Sequence, residues 1–189
     1  MILGIDTVFI DIDGVLADFV GAVGKHFNKV ITNDMITHWD ALVDDVLQLT
    51  VEEFWEEIDY QDFWLNMNPT PYAAEIMRIT EKYDRCLLTS PSYRNAGARQ
   101  AWIKKHFPKL FYEGKYIITS SKHYLADQAR VLIDDYDKNI DSWIDFGGFG
   151  IVFPRPWNSG RKDYLRPVME VKKGLDFIEH LPESMYDFH

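Results

Sequence analysis

Cysteine is almost missing from this chain: Cys86 is the single one in 189 residues. One thiol excludes a disulfide framework and any zinc or iron–sulfur centre built on cysteines. Long apolar runs are missing too. No stretch approaches the roughly 18 consecutive apolar residues of a membrane span, so none is expected. Basic residues are missing from one long segment. Between Val30 and Met77 there is neither Lys nor Arg, against eleven Asp and Glu, in a chain of net charge −10. Gripping DNA or RNA along the backbone needs a basic face, so a long nucleic-acid ligand is not expected. The GxxxxGK[ST] loop of nucleoside triphosphate enzymes is absent, which argues against a kinase or a nucleotide switch. The opening MILGIDTVFIDIDG carries acids where an export signal carries Lys or Arg, so the expected location is the cytoplasm.

What is present is ample for a globular core, with 47% hydrophobic and 26% charged residues. Residues 7–12 (TVFIDI) read as a buried strand, followed by a helix over 17–29 with Phe19, Val20, Val23 and Phe27 on one side. Further helices are expected over 72–82 (with Pro71 in its first turn), 95–106 (stopped by Pro108), 138–146 and 170–181. Further strands are expected over 85–89, 115–119, 131–134 and 150–153. Strands alternating with helices predict an α/β fold, a Rossmann-like parallel sheet with helices on both faces. Residues 33–68 break this alternation. They are acidic and aromatic, with Trp39, Phe54, Trp55, Tyr60, Phe63 and Trp64, and read as a small all-helical cap inserted after the first strand–helix unit. The expected division is therefore a core of 1–32 and 69–189 and a cap of 33–68.

In such a sheet, ligands bind at the carboxyl ends of the strands. The predicted strand ends deliver Asp11 and Asp13, then Thr89 and Ser90, then Thr119 and Ser120 with Lys122 beyond, then Asp134 and Asp135. A lone pair of acids at a strand end is ordinary solvated surface. Two acidic strand ends with hydroxyls and a lysine beside them are not. Carboxylates packed together repel, and burying them needs a cation or a proton; a hard oxygen-ligated cation such as Mg²⁺ suits a phosphate site. Lys115 rivals Lys122, but it falls at the wrong end of its predicted strand. Asp18 reads as structural support at a helix start.

The string Asp11-Ile-Asp-Gly-Val-Leu-Ala-Asp18-Phe19 resembles the first signature of the haloacid dehalogenase phosphatase superfamily, DxDGVLxD. Leu87-Leu-Thr-Ser90-Pro91, then Lys122, then Leu132-Ile-Asp-Asp135 follow in the superfamily's order. The LTSP and IDD forms, Ala17-Asp18-Phe19 and the short helical cap are most similar to the 5'(3')-deoxyribonucleotidases, over residues 8–153. The resemblance implies a Mg²⁺-dependent phosphomonoesterase acting on a small nucleotide, with a phosphoaspartate intermediate. It implies Asp11 as nucleophile, Asp13 as general acid and then base, and Thr89 and Ser90 as phosphate holders, Ser90 through its backbone N–H. It implies Lys122 as the neutralising cation, and Asp11, the Asp13 backbone carbonyl, Asp134 and Asp135 around the metal. Phe19 matches a base-pocket position. Trp39 is the cap aromatic singled out for the same pocket, whereas Phe63 and Trp64 read as packing.

One departure is Tyr136, which stands where mammalian relatives carry arginine after the paired aspartates; it joins Phe19 and Trp39 as a substrate-side candidate. Arg155 could reach the mouth of the site, but an ordinary surface arginine is the preferred reading. Sugar phosphates, nucleic-acid 3'-phosphate ends (disfavoured by the acidic stretch) and a catalytically silent binding module are the competing readings. The family is often dimeric, which allows a homodimer here, but nothing in the sequence signals one.

Overall fold

The structure, a computed structural model, describes residues 4–182. Five strands form one parallel sheet in the order β3-β2-β1-β4-β5, with β1 (Thr7–Ile10), β2 (Asp84–Thr89), β3 (Tyr116–Ile118), β4 (Arg130–Asp134) and β5 (Phe149–Val152). The alternation of β1 explains why helices cover both faces. Val8 and Ile10 enter one buried cluster, and Phe9 enters another with Leu88, Leu132, Ile140 and Trp143.

The first cluster gathers apolar residues of α1 (Phe19–His26), α4 (Ala73–Ile79), α5 (Ala96–His106) and α8 (Pro167–Glu179). Ile140 and Trp143 of α7 (Asp137–Asp145) close the opposite face. The α/β reading therefore holds, and every strand expected from the sequence forms.

Residues 33–68 fold as a 3₁₀ turn (Asn33–Met35), a π-helical turn (Leu42–Leu47), α2 (Val51–Ile58) and α3 (Gln61–Leu65). Thr50 caps α2: its hydroxyl accepts from the Glu53 N–H while the Glu53 carboxylate accepts from the Thr50 N–H. The two ends of this segment are held together. The Asp18 N–H donates to the Asn68 carbonyl and the Thr70 N–H to the Leu16 carbonyl, both at 2.8 Å, while the Thr70 hydroxyl donates to the Val15 carbonyl.

Boundaries moved where chemistry at helix ends decided them. The first helix starts at Phe19 because the Asp18 side chain accepts from the Gly21 N–H and caps it, as its reading as structural support anticipated. Pro71 lies just before the Tyr72 N-cap of α4 instead of in its first turn. Pro108 stops α5 and then opens α6 (Pro108–Tyr112), a short helix the sequence reading missed. The final helix starts three residues early, with Pro167 in its first turn.

Candidate active site

The register of the central strands builds the site. Ile10 of β1 pairs with Leu87 of β2 on one side and with Ile133 of β4 on the other. The residues that follow, Asp11 and Asp134, are thus brought side by side at the carboxyl edge, where the strand order reverses and a crevice opens. Ligand oxygens of Asp11, Asp134 and Asp135 all lie within 4.8 Å of one another, and all three residues are buried. Burial, with Asp134 close by, pushes the Asp11 carboxyl up to about 7 despite the neighbouring lysine. Burial and the charges of Asp134 and Asp11 likewise hold Asp135 well above the ordinary carboxylate range.

Lys122 stands on the 3₁₀ turn Lys122–Leu125 after β3. Its Nζ donates to Asp11 Oδ1 at 2.6 Å and to Asp134 Oδ2 at 2.7 Å. Burial works against the lysine's charge, but the two carboxylates outweigh it and hold Lys122 protonated well above its usual range. Lys115 is excluded from the site, since it pairs with Asp84 at the start of β2.

Three carboxylates facing one lysine leave an excess of buried negative charge, and an all-oxygen donor set is what a hard divalent cation takes. The backbone also leaves a cradle there. Gly14 has φ +75°, and a Cβ at that position would run into the Asp135 carboxylate. The residues present therefore fit a bound Mg²⁺.

Thr89 ends β2 fully buried, and its Oγ1 has no hydrogen-bond partner among the described residues. A buried hydroxyl left unpaired costs free energy, which a ligand oxygen would recover. The Ser90 hydroxyl is committed to the Thr119 carbonyl at 2.6 Å, which leaves its backbone N–H as the group it can offer.

Above these groups opens a cavity of about 530 Å³. Its walls include Phe19, Trp39, Trp55, Trp64 and Tyr136, and Asp40, Glu56 and Asp59 add carboxylates. The Trp39 and Tyr136 rings face each other, with centroids 4.0 Å apart and planes 31° apart. Phe19 sits at the centre of an aromatic group, 6.0 to 6.3 Å from Phe54, Trp55, Phe63 and Trp64. Phe63 and Trp64 are buried, in line with a packing role, although Trp64 also reaches the cavity.

The Asp13 carboxylate stands apart from the acidic triad. It accepts from Arg99 of α5, which sequence reasoning did not single out, because a lone arginine in a helix carries no motif. Asn139 was also missed; its side-chain amide donates to Asp134 Oδ2, while the Tyr136 N–H donates to Asp134 Oδ1.

Arg155 requires a correction. It is 4% exposed, and its Nε donates to the Gly14 carbonyl at 2.8 Å, with Nη2 on the same oxygen. The loop after β5 folds back under Asp135: Trp157 Nε1 donates to its Oδ2, and Asn158 Nδ2 to its carbonyl. Asn158 Oδ1 in turn accepts from the Arg155 N–H. Pro154, Pro156 and Asn158 are turn-forming residue types, but nothing in their local order names Asp135 as the place to which the loop returns.

Residues 5–173 match the sequence model of the family described as 5' nucleotidase, deoxy (Pyrimidine), cytosolic type C. The chain belongs to this family. Within a wider comparison it is 30% identical over 145 residues to the mitochondrial 5'(3')-deoxyribonucleotidase of Mus musculus, covering 68% of this chain. The match spans 63% of that relative's length. The fold is shared with a HAD family hydrolase from Deinococcus radiodurans, solved with phosphate and sodium, at TM-score 0.57 and 12% identity over 93% of this chain and 97% of that one. It is shared too with a HAD-hydrolase from Bacillus subtilis, solved with magnesium, at TM-score 0.52 and 14% identity over 79% and 87% of the two chains. Family membership thus agrees with the resemblance read from Asp11 to Asp135.

Proposed function

We propose that this chain is a Mg²⁺-dependent phosphomonoesterase that hydrolyses nucleoside monophosphates, deoxyribonucleotides foremost, to nucleoside and phosphate. The observation that carries the reading is Lys122 with three buried carboxylates lining an aromatic cavity, together with the buried, unpartnered Thr89 hydroxyl at the end of the neighbouring strand β2. In this reading Asp11, Asp134, Asp135 and the Asp13 backbone carbonyl hold the cation. When bound, the cation offsets the charge of the carboxylates and of the phosphate.

Asp11 Oδ attacks phosphorus in line, and the bond from phosphorus to the nucleoside oxygen breaks. Asp13 gives that oxygen its proton. Asp13 then takes a proton from water, whose oxygen attacks the phosphoaspartate; the acyl phosphate bond breaks, and phosphate and the Asp11 carboxylate are released. Thr89 Oγ1 and the Ser90 N–H bind phosphate oxygens, and Lys122 neutralises the charge that builds on them.

Residues 33–68 act as a cap whose Trp39, with Phe19 and Tyr136 of the core, grips the base by stacking. The acidic groups of the cavity, Asp40, Glu56 and Asp59, disfavour a longer polyanion and so a nucleic-acid end. Among the described residues no helix is long and apolar enough to cross a membrane. The family's description as cytosolic supports a cytoplasmic location.

Phosphate release from deoxynucleotides, ribonucleotides, 3'-monophosphates, sugar phosphates and a phosphorylated oligonucleotide, with Mg²⁺ and with EDTA, tests the proposal. Metal-dependent turnover confined to nucleotides is expected. Comparable turnover of sugar phosphates would discard the substrate assignment and keep the chemistry.

A further inference from the structure

Arg99 is the least explained buried group in the molecule. It is fully buried on α5, yet its Nε and Nη1 have no hydrogen-bond partner among the described residues. Only Nη2 is used. It donates to both carboxylate oxygens of Asp13, at 2.6 and 2.7 Å. The guanidinium packs against two indoles, with its central carbon 5.1 Å from the Trp64 ring of α3 and 5.7 Å from the Trp102 ring of α5.

Burying a guanidinium with two nitrogens unpaired is costly. One partly exposed carboxylate is a poor return for it, since the Asp13 side chain keeps 29% of its surface open. Apolar side chains of similar volume often replace a buried ion pair with no loss of stability. The benefit of Arg99 must then lie in what it does to Asp13.

Two features define that effect. Asp13 lines the cavity, and Arg99, fully buried on α5, does not, so Arg99 holds Asp13 from the protein side. The like charge of Asp11, two residues away, repels the Asp13 carboxylate, and Arg99, packed against the Trp64 and Trp102 rings, supplies an attraction. A single nitrogen bridging both oxygens leaves each oxygen with a lone pair free towards the cavity.

We propose that Arg99 is the positioning residue for Asp13, holding its carboxylate where a proton is passed to the leaving oxygen and later taken from water. This rests on the phosphoaspartate reading above. The bonds made and broken are those of that reading, with Arg99 keeping all its protons. Trp64 belongs to the 33–68 segment and packs on the guanidinium, so the seating of that segment and the placement of Asp13 become one event.

The test uses the Mg²⁺-loaded protein, Arg99→Met and Arg99→Lys, with a deoxynucleoside monophosphate and 4-nitrophenyl phosphate in rapid-mixing experiments. Nitrophenolate leaves without a proton, whereas a nucleoside needs one. Arg99→Met is expected to melt near the parent temperature, because the Asp13 it leaves unpaired is partly open to water, unlike the buried partners of Lys122. It should release about one nitrophenolate per protein in a burst and then turn over slowly, because only the water step needs a placed Asp13. With the nucleotide it should show no burst and a kcat lower by about 100-fold, the scale of a 1 Å misplacement, at little-changed KM. Arg99→Lys should recover part of the rate, since one nitrogen suffices.

Equal slowing of both substrates with a lowered melting temperature would overturn the inference in favour of a structural role, as would unchanged kinetics. Should Arg99→Met fail to fold, Arg99→Gln, which is polar but carries no charge for Asp13, decides by the ratio of nucleotide to aryl burst rates: a fall supports the inference and an unchanged ratio overturns it. A parent protein that hydrolyses neither substrate, or turns over without phosphorylating Asp11, defeats the underlying reading whatever the variants do.

Discussion

Nζ of Lys122 bridges Asp11 Oδ1 and Asp134 Oδ2 at 2.6 and 2.7 Å, tying the ends of two neighbouring strands through one buried cation. Lys122→Met removes that cation and leaves its partners unpaired. Breaking a buried ion pair from one side costs about 3–5 kcal/mol, so urea unfolding in EDTA should show a loss of that order. Turnover should vanish with it. A variant as stable as the parent would mean that Lys122 is not the internal countercharge.

Metal and pH should act together. Asp11 sits near 7 in the fold against an ordinary 3.8, and burial raises Asp135 in the same direction. Between those pH values the folded protein holds protons that the unfolded chain has lost, so metal-free stability falls as pH rises through this window. A cation takes the deprotonated carboxylates and must displace those protons. The gain in melting temperature from Mg²⁺ over EDTA is therefore expected to grow from pH 5 to pH 8. A gain that is constant across this range would remove Asp11 and Asp135 from the metal site.

Gly14→Ala meets two obstacles at once: φ is +75°, and its Cβ would press on the Asp135 carboxylate. Backbone strain of this kind costs about 1–3 kcal/mol. Displacing a ligand's surroundings weakens a metal site roughly 10- to 100-fold, which Mg²⁺ titration of activity would read. Unaltered Mg²⁺ dependence would refute the close approach of Gly14 to Asp135.

Trp39→Ala removes the partner ring of Tyr136. Aromatic stacking on a base is worth about 1–3 kcal/mol, or roughly 5- to 150-fold in KM for a nucleotide. A small aryl phosphate should change much less. Equal effects on both substrates would take Trp39 out of the base pocket.

Asp11→Asn should abolish turnover and keep Mg²⁺-dependent binding of nucleotide, whereas Asp13→Asn should slow turnover by roughly 10²–10⁴-fold. Isothermal titration and rate measurements on the same preparations separate the two. Full activity in Asp11→Asn would end the phosphoaspartate mechanism.

The legible parts of this protein were local in the chain. Alternating apolar segments announced the strands, and acids or hydroxyls at their ends announced where Asp11, Thr89 and Asp134 would stand. The parallel topology then supplied their convergence, since β1 lies between β2 and β4 and delivers its end beside both. Helix ends were less legible because a proline both stops and starts helices, as Pro108 does.

Chemistry made of single residues from distant segments could not be read in this way. Arg99 lies 86 positions from Asp13 and Arg155 lies 141 from Gly14, and neither carries a spacing or motif that names its partner. Residue order along the chain determined the strand–helix alternation, the acidic segment and the Asp11-Ile-Asp-Gly string, because each depends on neighbours within a few positions. Only the tertiary structure decided that Arg99 and Arg155 are buried, that one holds the Asp13 carboxylate and the other the Gly14 carbonyl, and which aromatic rings face each other. Burial and the loss of water arise when separate segments close over a charge, and a charge can be desolvated only once its partner has arrived.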